Sequence, residues 1–122
     1  MTKFVTKVLK LLMTWLLIMS PYGTLPVFAT YNYPNANSDE YRVGQTSPLV
    51  VSANDGVLVN DNLQNGVTYT VTLLRGVAHG VISLNTDGSF TYTPEANYTG
   101  TDSFKYTVSG GGRSDSAEVE IK

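Results

Sequence analysis

Few side chains in this 122-residue chain could carry acid–base, nucleophilic or metal chemistry. His79 is the only histidine and there is no cysteine, so a histidine-based metal cluster or a Ser-His-Asp triad would have no spare parts, and thiolate chemistry and disulfides are excluded. The setting of His79 between Ala78 and Gly80 suits a tight bend. Glu95 and Asp102 lie in or beside one loop, and paired carboxylates hydrolyse a glycosidic bond only when they flank a cleft. A small β domain rarely offers one. Gly110, Gly111 and Gly112 form a plain linker between strands, with no helix to make them a phosphate loop. Tyr31, Tyr33, Tyr41 and Tyr98 could form an exposed platform for a sugar or a protein, or could be incidental surface aromatics. Asn97-Tyr98-Thr99 matches a glycosylation acceptor, which has meaning only in a eukaryotic secretory pathway. The expectation is a protein that is not an enzyme.

The elements that would position these side chains are strands. Two β-rich runs, 81–84 and 89–93, are separated by Asn85-Thr86-Asp87-Gly88, residues that tolerate positive φ, so a hairpin is expected there. Pro94 has no N–H to give a ladder and marks the exit from that hairpin. Over 103–108, Phe104, Tyr106 and Val108 alternate with Ser103, Lys105 and Thr107, and a period of two buries one face. Residues 67–74 form the longest candidate strand, with Val67, Tyr69, Val71 and Leu73 on one face. Residues 39–43 give a first edge strand, 48–52 a second, and 115–121 a last one with Ala117, Val119 and Ile121 inward. The apolar run Gly56-Val57-Leu58-Val59 can pin a loop onto the core, ahead of Asn60-Asp61-Asn62, whose short side chains favour turns. Residues 109–112 are expected as a floppy connection.

About seven short strands, with Gly or Asn in most turns, predict an all-β, Ig-like Greek-key β-sandwich. Its expected core is Leu58, Tyr69, Val71, Leu73, Ile82, Leu84, Phe90, Tyr92, Phe104, Tyr106, Val119 and Ile121.

Residues 1–29 are expected to be a signal peptide that precedes the sandwich. Lys3, Lys7 and Lys10 make a basic start, residues 11–19 an apolar core, and Val27-Phe28-Ala29 a cleavage site. The apolar run falls short of the ~20 residues that span a bilayer, so no stable membrane span is expected after cleavage. Residues 30–38 would be a flexible leader and 39–122 the domain. All ten acids and five of the eight basic residues follow Ala29, for a net charge of −5. That balance argues against nucleic acid, is compatible with divalent cations, and serves solubility.

Four words in order strengthen the reading of the fold: Gly56-Val57-Leu58-Val59-Asn60-Asp61, Ala78-His79-Gly80, residues 87–94 (DGSFTYTP) and residues 98–106 (YTGTDSFKY). Together with Ala117-Glu118-Val119-Glu120-Ile121 they resemble the bacterial cadherin-like and Ig-like, or VCBS-type, repeats of secreted adhesins, from about Asp39 to the end. The resemblance implies a module usually strung in tandem, here in a single copy, with calcium near repeat junctions in many members. Asp39, Asp61 and Asp102 match family aspartates, and with Asn60 they make the candidate calcium set. The chain departs from the family at Ser109-Gly110-Gly111, where an Asp-Gly is common, and at Asn62, where many members have an acid. Calcium takes six to eight oxygens at one spot; the other reading is that Asp61 and Asp102 cap turns. The expected role is a secreted or cell-surface module for structure or adhesion, meeting a protein or glycan at the cell surface or associating with itself. The alternative is a small calcium- or glycan-binding module.

Overall fold

The computed structural model describes residues 33–44 and 48–122. The expected signal peptide and Tyr31 lie outside the described residues. Among those residues there are seven strands: β1 (Asp39–Tyr41), β2 (Leu49–Val51), β3 (Thr70–Arg75), β4 (Gly80–Leu84), β5 (Phe90–Pro94), β6 (Asp102–Gly110) and β7 (Arg113–Ile121). They form a four-stranded sheet, β1-β7-β6-β3, and a three-stranded sheet, β2-β5-β4. Four of the six connections pass from one sheet to the other. The remaining two, β4–β5 and β6–β7, are hairpins. β1 runs parallel to β7 at the sheet edge, while the other pairs are antiparallel.

Alternation builds the core. On β6, Phe104, Tyr106 and Val108 have no exposed surface, and Val119 and Ile121 of β7 lie beside them. Phe90 and Tyr92 of β5 face them from the second sheet; the rings of Phe90 and Phe104 meet edge to face at 5.2 Å, an orientation that suits the charge distribution of two aromatic rings. Val57 is fully buried, as expected of a loop pinned to the core. It enters where Gly56 crosses Gly88: its N–H donates to the Gly88 carbonyl at 3.1 Å. A Cβ on Gly56 would sit 2.4 Å from that oxygen, so only glycine permits the crossing.

Four expectations differ from the structure. Leu73 was expected in the core and is 43% exposed, because β3 is an edge strand whose register shifts between Leu73 and Arg75. That strand starts at Thr70 rather than Val67; Tyr69 instead places its hydroxyl as acceptor for the Gln64 N–H at 3.1 Å. The glycine-rich segment after β6 is no floppy connection. Gly110 pairs with Arg113, and Gly111 and Gly112 between them have φ of 62° and 76°, the two-residue turn that matches strand twist. Finally, the described part of the expected flexible leader, 33–38, makes contacts with the domain. Pro34 is buried, Asn35 bridges to Asn62, and the Ala36 N–H donates to Asp115 Oδ2 at 2.9 Å.

Candidate functional site

Two buried tyrosines, one from each sheet, reach out of the core to an aspartate that holds a neighbouring loop. Tyr92 of β5 donates to Asp102 Oδ2 at 3.1 Å, with the His79 carbonyl 3.2 Å away. Asp102 opens β6 and is only 4% exposed. Its carboxylate also accepts the N–H groups of Ala78 at 2.9 Å, His79 at 2.8 Å and Ser103 at 2.9 Å. Burial alone would raise its pKa, but the three N–H donors and the Tyr92 hydroxyl outweigh it and hold the carboxyl below its usual range. Burial and then the hydrogen bond to Asp102 push Tyr92 up to about 12.

Tyr106 of β6 reaches Asp61 in the same way. Its hydroxyl lies 3.0 Å from both carboxylate oxygens, with the carbonyls of Val57 at 3.2 Å and Asn37 at 3.3 Å. One proton serves these acceptors, and the carboxylate is the strongest of them. Asp61 also accepts the Asn37 N–H at 2.8 Å. Here burial wins: Asp61 is pushed up to about 6 against the bonds from Asn37 and Tyr106, with the charge of Asp115 adding to the rise. Asn60 completes the clamp, donating to the Ser38 carbonyl at 3.0 Å and accepting from Asn37 Nδ2 at 2.9 Å.

Each of the four candidate calcium residues has a definite place, and Asp39 and Asp102 line one surface pocket. Asn60 and Asp61 flank the segment 37–38, and Asp39 follows it on β1 opposite Val119. Asp102 is held by the bend before β4, through donors that Asp61 does not share. Among the described residues, no three His, Cys, Asp or Glu side chains group as metal ligands. Oxygens of Asp61 and Asp102 already accept protein donors, and a calcium cage would take six to eight oxygens at one spot.

The remaining reactive groups are likewise engaged. The His79 ring stacks on Tyr98 at 4.1 Å and 13°, and Nδ1 lies 3.7 Å from Glu95 Oε2. Glu95 is exposed and Asp102 buried, so they do not oppose each other as a hydrolytic pair. Tyr41 meets Phe90 edge to face at 5.0 Å and donates to the Asp55 carbonyl at 2.8 Å, and Tyr98 donates to the Thr101 carbonyl at 2.9 Å. Both hydroxyls tie down neighbouring backbone. The site residues that the sequence did not flag are Asn37 and Asp115. Their only local signal was a polar character that turns share.

A family model described as a bacterial cadherin-like domain matches residues 32–122, so the chain belongs to that family. The match includes the segment 33–38. Among curated proteins no match was found.

Proposed function

We infer, from its membership of the bacterial cadherin-like family, that this chain is an exported, non-enzymatic module of cell-surface structure or adhesion. The observation that supports this reading is the use made of its polar groups. The acids, hydroxyls and histidine that could have reacted hold loops to the sandwich, which leaves sheet faces and edges for a partner to meet. The domain runs from about residue 32, with the signal peptide over 1–29 and a short junction between them. Its partner is a protein or glycan at the cell surface, or another copy of the chain.

Expression of the full chain in a bacterium, with an epitope tag after Lys122, tests the reading. Protein recovered outside the cytoplasm with an N-terminus at Thr30, on cells that gain adhesion, is the expected result. Intact Met1 in the cytoplasm overturns it. Calcium enters as the competing outcome: a saturable rise in melting temperature on calcium addition, lost in Asp61→Asn, would put the ligand-binding role first.

A further inference from the structure

The edges of the two sheets differ in how they are protected. β1 is three residues long and carries Asp39 and Glu40, β2 is three residues long and follows Pro48, and β3 is interrupted by its register shift. Short length, charge, proline and bulges keep an edge from pairing with another chain. β4 has none of these features. Its five residues pair with β5 in unbroken register, none is charged or proline, and no strand is bonded to its other side among the described residues.

The hydrogen bonds of the hairpin fix which groups face that open side. The Glu95 N–H donates to the His79 carbonyl, and the Asn85 N–H to the Ser89 carbonyl. Bonded pairs alternate along an antiparallel ladder, so Val81–Thr93 and Ser83–Thr91 are bonded pairs as well. Gly80, Ile82 and Leu84 consequently direct their N–H and C=O groups away from β5. The outward side chains beside this edge are neutral: Val81, which is 69% exposed, Ser83, Thr91 and Thr93. After residue 29 the chain has ten acids against five basic residues, so copies repel one another over most of the surface. At this edge two copies meet with no like charges opposed.

We propose that β4 pairs antiparallel with β4 of a second copy, about a twofold axis through Ile82, to give one continuous six-stranded sheet. Ile82 exchanges both backbone bonds with its counterpart, Gly80 faces Leu84, and Val81 faces Ser83. The contact is self-complementary, as a twofold requires. It is also small, so the dissociation constant lies above about 1 µM. This pairing names a partner for the adhesive reading and rests on that reading only for its use, since it is measured in solution without a cell.

Sedimentation of the full chain at rising concentration, to about 1 mM, tests it with two paired variants. Val81→Lys with Ser83→Lys, and Val81→Glu with Ser83→Glu, each set like charges opposite one another across the twofold. Both positions are exposed, and an unchanged melting temperature verifies the fold. The expected result is a monomer–dimer equilibrium for the unmodified chain, weakened about tenfold or more in each variant and restored when the two variants are mixed, because lysine then faces glutamate. A monomeric unmodified chain overturns the proposal. So does a dimer indifferent to both variants, which places the contact elsewhere, or a mixture that fails to re-form it. A monomeric unmodified chain with export and adhesion intact refutes this contact alone and leaves the adhesive reading standing.

Discussion

At Asp102 three backbone N–H groups and the Tyr92 hydroxyl converge on one carboxylate, whereas at Asp61 the Asn37 N–H and the Tyr106 hydroxyl do so with Asp115 close by. The tyrosine comes from the core in both places, and the aspartate fastens a segment that precedes a strand. The acid strengths nevertheless move in opposite directions, down at Asp102 and up at Asp61. Both are desolvated, so burial raises both. What differs is the number of donors that reward the charged form and the neighbouring charge: Asp61 has fewer donors and has Asp115 beside it, so burial wins there. Asp102, its carboxyl held below the usual range, fixes the bend before β4, and Asp61, pushed up to about 6, holds residue 37.

The comparison breaks most directly by deletion. Asp102→Ala leaves four donors without their shared acceptor and is expected to cost about 3 kcal/mol or more in urea unfolding at neutral pH, against about 1 to 2 kcal/mol for Asp61→Ala. Equal costs would rule out donor number as the cause. Removing the hydroxyls comes next. Tyr92→Phe and Tyr106→Phe should each lose about 1 kcal/mol, and Tyr106→Phe should also move the Asp61 titration, followed by NMR, above its value of about 6.

The pH dependence sharpens the contrast by its sign. A carboxyl raised in the fold adds stability that is complete below its unfolded pKa, about 3.9, and is lost as pH rises through about 6. Asp102, lowered in the fold, adds stability above its unfolded pKa that is lost as pH falls through its folded value. Stability should therefore gain from Asp61 on acidification from pH 7 towards 4, and lose from Asp102 below that. Asp61→Asn should flatten the upper part of the curve and leave the lower part. The smallest effect is expected from calcium: millimolar calcium against chelator should leave the melting temperature unchanged, as scanning calorimetry can establish.

Much of the sandwich was legible because a strand's signal is local. A period of two placed Phe104, Tyr106, Val119 and Ile121 in the core, and Asn85 to Gly88 marked a hairpin that Gly88 closes at φ 87°. The misses lie where edge position or partner choice outweighs pattern. Leu73 obeys the alternation but sits on an edge, and the triple glycine is composed like a linker yet fits a tight turn.

The sequence by itself determined the all-β class, the approximate strands, the inward face of each central strand and the scarcity of reactive groups, since these follow from composition and from spacing within a few residues. Only the tertiary structure decided what Asp61, Asp102 and Asp115 do. The backbone donors of the segments they hold lie 24, 23 to 24 and 79 residues away in the chain. A carboxylate's role depends on how many donors reach it and how much water is removed, and both are set by contacts between segments distant in sequence.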